Sequence, residues 1–76
     1  MNNVLAEVEK ELDRAHVLYK PFNGPHEGYA IILEELDELW NDIKASKPHS
    51  DRSDMRKEAI QVAAMAIRFI QDICDA

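Results

Sequence analysis

Paired acids are the residues of this chain best suited to chemistry. Glu35 and Glu38 stand three apart, with Glu34 immediately before them. On a helix, residues at that spacing are surface neighbours, with about 5–6 Å between their Cβ atoms. Two carboxylates so placed repel unless a cation, a proton or solvent offsets their charge. A hard divalent ion such as Mg²⁺ takes oxygen ligands of this kind. Beyond residues 39–57 come Glu58 and Gln61, again three apart. If the helices carrying the two pairs run antiparallel, both pairs can face one cleft. The plainer reading stands beside this one. Glu34, Glu35, Asp37, Glu38 and Asp42 then form a solvated helix face. Glu58, next to Arg56 and Lys57, joins a surface ion pair of small worth. Met65, a turn beyond Gln61, reads as packing.

Competing chemistries are missing. The two glycines, Gly24 and Gly28, make neither a phosphate-cradling loop nor a dinucleotide fingerprint. His16, His26 and His49 are scattered, and Cys74 has no partner at zinc-ligand spacing. The histidines read as structural or solvent-facing. A single cysteine excludes an intrachain disulfide and fits a reducing compartment. The net charge of −6, with no basic run, argues against nucleic-acid binding. No stretch nears the roughly 20 apolar residues of a membrane span. Met1–Lys10 is acidic and amphipathic rather than a secretory signal. The expectation is a cytoplasmic protein with no membrane partner.

Three helices must position these acids. The first runs from about Asn3 to Tyr19, where Val4, Leu5, Val8, Leu12, Ala15 and Tyr19 recur three and four apart. Lys20-Pro21-Phe22-Asn23-Gly24-Pro25 breaks it, and Pro25 suits the first position of the next helix. That second helix, to about Ala45, carries a broad apolar face of Tyr29, Ile32, Leu33, Leu36, Leu39, Trp40 and Ile43. A turn of about 100° per residue gathers Glu27, Glu34, Glu35, Glu38 and Asp42 on another face. Ile31 stands among them, a hint that this face is not simply solvated. After the joint Ser46–Ser50, Ser50 or Ser53 can cap a third helix, with Asp51 and Asp54 in its first turn. It runs to about Ile73, and Ala63-Ala64-Met65-Ala66 permits close approach to a neighbour.

The chain is a single domain, 1–76, with a hydrophobic content of 46%. In so short a chain, burial is nearly cancelled by roughly 1.5 kcal/mol of ordering entropy per residue. The third helix adds an apolar arc (Met55, Ala59, Val62, Ala63, Ala66, Ile67, Ile70, Ile73) wider than two short helices cover. Self-association is the simplest cover. The expected fold is all-α: three helices in a bundle completed by homo-oligomerisation.

Glu34-Glu35-Leu36-Asp37-Glu38-Leu39, a linker, and then Glu58-Ala59-Ile60-Gln61-Val62 resemble the MazG-like family of all-α nucleoside triphosphate pyrophosphohydrolases. The likeness covers roughly residues 26–73. That family carries Glu-x-x-Glu on one helix and Glu-x-x-Asp on the next. The resemblance implies Mg²⁺ as cofactor, bound through these acids. It implies a nucleoside triphosphate substrate cleaved between the α and β phosphates, and assembly as a homodimer or homotetramer. By position, Glu35, Glu38 and Glu58 fill catalytic and metal-binding places. Gln61 stands as a metal ligand where the family has Asp. An amide oxygen brings no negative charge, so weaker metal binding and weaker catalysis are expected, unless Glu34 or Asp54 supplies a carboxylate. Lys57 and Arg68, nearest the second pair, are the candidates for substrate binding, with Lys44 or Lys47 arriving from the linker. Tyr19, Phe22, Asn23 and Trp40 are of the types that choose a base. A non-catalytic MazG-like protein binding a nucleotide or a partner, and a purely structural helical module, are the alternatives.

Overall fold

The computed structural model describes residues 2–45 and 52–76. These form α1 (Asn2–Leu18), α2 (Pro25–Lys44), α3 (Arg52–Phe69) and a terminal π-helical turn, Ile70–Cys74. The described residues contain no strand. Each helix lies within a few residues of its expected bounds. At the start of α2, Gly24 is extended (φ −174°) and Pro25 occupies the first turn. The backbone N–H and side-chain amide of Asn23 both donate to Glu27, each at 3.0 Å. Asn23 thus fixes the entry to α2 and is not held for a ligand. Asp54 lies in the first turn of α3 and Ser53 inside it. Lys47, His49, Ser50 and Asp51 fall outside the described residues.

α3 is the central element, and α1 and α2 both pack on it. Partners along its length fix the directions. Arg56 pairs with Glu7 and Arg68 reaches the Lys20 carbonyl, so α1 runs parallel to α3. Gly28 lies against Phe69 and Glu35 against Gln61, so α2 runs antiparallel to it. The fully buried apolar set is small: Val8, Leu12, Ala15, Phe22, Ala64 and Met65. Gly28 is the buried residue of α2. A Cβ there would sit 2.5 Å from the Phe69 ring and 3.2 Å from Phe22. The missing side chain is therefore what lets α2 approach this end of α3.

The structure differs from the sequence expectation over which faces are covered. α2 turns the face carrying Gly28, Ile31, Ile32 and Glu35 toward α3. Most of its broad apolar face is left outside: Tyr29 is 63% exposed and Trp40 54%, with Leu33, Leu36 and Ile43 also exposed. Close approach at Gly28 sets this rotation. The wide arc of α3 is partly covered: Met55, Val62, Ala63, Ile67 and Ile73 are half-buried, Ala59, Ala66 and Ile70 are exposed, and the buried residues of the helix are Ala64, Met65 and Arg68. The radius of gyration, 13.3 Å, exceeds the roughly 11.4 Å of a compact chain of this length. The uncovered apolar surface is shared by α2 and α1, where Val4, Leu5, Val17 and Leu18 are exposed, with Tyr19 just beyond.

The joint between α1 and α2 is pinned by the C-terminal residues. The Arg68 guanidinium lies 4.2 Å from the Phe22 ring centre and donates to the Lys20 carbonyl at 2.9 Å. Asp72, 3.9 Å from Arg68 Nε, accepts the Phe22 N–H at 3.0 Å. The π-helical turn, closed by Asp75 N–H to the Ile70 carbonyl at 2.8 Å, carries Asp72 in its wider coil.

Candidate functional site

The antiparallel pairing of α2 and α3 brings three acids together. One oxygen from each of Glu35, Glu38 and Glu58 lies within 4.8 Å of the others. Glu35 and Glu58 are half-buried, and Glu38 is exposed. Full charges at that separation repel by about 3 kcal/mol at an effective dielectric of 20. The pKa values register it. Burial, followed by the charges of Glu38 and Glu58, pushes Glu35 up to about 7. Burial and then a hydrogen bond with Glu38 raise Glu58, with further pressure from Asp42 and a small opposing pull from Lys57.

Gln61 sits between the helices. Its amide nitrogen faces the acids, since an amide oxygen there would meet only acceptors. In that orientation it donates to Glu35 Oε2 at 2.8 Å and to Glu58 Oε2 at 3.1 Å. Hydrogen bonds to charged groups contribute roughly 1.5–3 kcal/mol each. At half-buried acids two such bonds offset part of the repulsion between the groups they join.

Glu35 and Gln61 also border a cleft of about 370 Å³ between α1, the joint, α2 and α3. Tyr19, Phe22 and Met65 give it apolar surface, and its cations Arg14, Lys20 and Arg68 are set among the carboxylates of Glu11, Glu27, Glu34 and Glu35. Arg14 is itself bonded to Glu11, at 3.2 and 3.0 Å. No known protein family, curated protein or solved structure matches this chain. The site is therefore read from its own residues.

Of the residues singled out in the sequence, Glu35, Glu38, Glu58 and Gln61 are brought together. Neither Glu34 nor Asp54 belongs to the close carboxylate group. Lys57 lines a separate groove of about 750 Å³ between α1 and α3. Arg68 does line the cleft, but it is 3% exposed and spends its hydrogen bonds on the fold. Trp40 lies outside the cleft, with the Lys44 ammonium 5.6 Å above its ring. Asp42, which the sequence places on the acidic face of the second helix but outside the site, acts on Glu58 from one turn past Glu38. Sequence reasoning missed Arg14, which is bonded to Glu11 and feels the charge of Glu35 only as a minor influence across the cleft. Only the packing of α1 reveals that.

The donor set suits a hard divalent cation in kind: carboxylate oxygens from two helices, plus an amide that would present its oxygen after a half-turn. Acidic groups also cluster on protein surfaces without an ion. The geometry permits a metal without requiring one.

Proposed function

We propose that this protein is a Mg²⁺-dependent nucleoside triphosphate pyrophosphohydrolase of the MazG-like kind, acting in the cytoplasm. The observation that supports the reading is the convergence of Glu35, Glu38 and Glu58 within 4.8 Å beside a cleft that Arg14 and Lys20 also line. A bound divalent ion supplies positive charge against phosphate oxygens and acidifies water. The chain's own residues do the rest. Glu35, Glu38 and Glu58, with the Gln61 amide, hold the ion. Arg14 and Lys20 draw the triphosphate into the cleft, and Tyr19 and Phe22 offer ring surfaces to the base. Arg68 assists by fixing the Lys20 carbonyl, and Lys57 acts on Glu58 from the neighbouring groove. Hydrolysis between the α and β phosphates then releases monophosphate and pyrophosphate.

Assembly as a homodimer or homotetramer is part of this reading, and the exposed apolar side chains of α2 and α1 are the surfaces available for it. Sedimentation equilibrium should give a multiple of 8.7 kDa; a lone monomer at micromolar concentration removes the assembly.

Pyrophosphate release from a panel of nucleoside triphosphates, with and without Mg²⁺, tests the activity. The Glu38→Gln and Glu58→Gln variants should each lose on the order of a hundredfold, about 2.7 kcal/mol in the barrier. Absence of Mg²⁺-dependent release by the wild type overturns the reading. A second reading draws support from Gln61, whose bonds already partner two of the acids without a cation. It is a nucleotide-binding protein without turnover, which would show saturable binding and no pyrophosphate.

A further inference from the structure

We infer that Gln61 is a positioning residue. Its side-chain amide brackets Glu35 of α2 to Glu58 of α3 and holds the carboxylate group together when no cation is present. The inference deepens the function proposed above, yet the bracket itself rests on hydrogen bonding alone.

The geometry is specific. One amide nitrogen carries two N–H groups diverging by about 120°, so it can serve two acceptors at once. Here the acceptors come from different helices, at 2.8 and 3.1 Å. An aspartate at this position is one methylene shorter, has no donor when ionised and adds a fourth negative charge. It cannot perform the same task. Difference from the family pattern at Gln61 is thus a change of role. The carboxylates are preorganised by a neutral donor, and a cation need not be present for α2 and α3 to meet here.

Denaturant unfolding in EDTA at pH 7.5 tests the bracket, using Gln61→Leu and Gln61→Asp singly and Gln61→Leu in a Glu35→Gln, Glu58→Gln background. The Leu variant should lower the folding equilibrium constant about tenfold, in line with charge-assisted bonds at a half-exposed site. The Asp variant should lower it further. In the double-Gln background the Leu substitution should cost under threefold, because no charges remain to be bracketed. A purely structural role would not move that difference. Side-chain ¹H–¹⁵N spectra of the wild type give a second readout. The Gln61 amide protons should exchange with solvent at least tenfold more slowly than those of exposed Gln71. Equal stability of wild type and the Leu variant overturns the inference. So does an equal cost in both backgrounds, or an Asp variant as stable as wild type in EDTA. Should the Asp variant fail to fold, the Leu cycle and the exchange rates still decide. All these measurements omit nucleotide and metal, so failure of hydrolysis leaves the bracket standing, and the reverse.

Discussion

Two places where α2 and α3 meet are built on opposite principles. At one end, Gly28 lies against Phe69 and Phe22, while Arg68 binds Lys20 and sits near Asp72. Opposite charges are neighbours there, apolar rings are covered, and the one unsatisfied buried atom is Arg68 Nε. Farther along, Glu35, Glu38 and Glu58 set like charges side by side, and burial raises the pKa of Glu35 and Glu58. The first region secures the fold. The second holds an arrangement that works against it, which is the pattern expected where residues are retained for a task other than stability.

The contrast is broken most forcefully at Arg68. Arg68→Met keeps much of the packing over Phe22 but removes the donor to Lys20 and leaves Asp72 without its cation. The expected cost is about 3 kcal/mol, near the lower end for breaking a buried pair because the ions are 3.9 Å apart. For a domain whose total stability is on the order of 4–11 kcal/mol, that is a large share. Urea denaturation reads it, and a loss below about 0.5 kcal/mol would mean that the joint is held by something else.

A smaller effect of the opposite kind is expected from the acids. The folded pKa of Glu35, about 7, is above its ordinary value of 4.5. The folded state therefore binds the proton more tightly, and metal-free stability falls as pH rises between those values. Above pH 7 the penalty is complete. Allowing for solvent screening at a half-buried group, it is about 1 kcal/mol. Just over half of that pH window lies above pH 5.5, so melting in EDTA should occur roughly 2–5 °C higher at pH 5.5 than at pH 8. Under the proposed function, saturating Mg²⁺ should flatten the difference. A melting temperature that rises from pH 5.5 to pH 8 in EDTA would contradict the account of this region.

The same two regions show what the sequence could reveal. Helical periodicity and the breaks at Pro21, Gly24 and Pro25 located α1 and α2 to within a residue or so. Three-residue spacing put Glu35 beside Glu38, and Ile31 marked the acidic face as partly inward. The rotation of α2 was not legible, since a hydrophobic stripe says that a helix has two sides without saying which neighbour takes which. Tyr29, Leu36 and Trp40 looked like core for that reason. Nothing in the sequence marks Gly28 as a packing position; only its contact with Phe69 does. The π-helical turn has no proline or glycine to announce it. Arg68 was singled out for its nearness to Glu58 and Gln61 along the chain, whereas its guanidinium donates to the Lys20 carbonyl of the joint and to Met65 Sδ.

The central place of α3 has a consequence for how the protein is made. α1 and α2 rest on α3 far more than on each other, so neither has its proper surface until residues 52–69 exist. Isolated helices of this length are marginal in water. At about 5–20 residues per second, the ribosome takes roughly 2–10 s to go from Leu18 to Arg68. Throughout that interval Val8 and Leu12 have no α3 to cover them. The early half of the chain must stay dispersed on its own charges, Glu7, Glu9, Glu11 and Asp13 among them. Folding therefore follows the arrival of α3, and the acidity of the first helix keeps the waiting chain soluble.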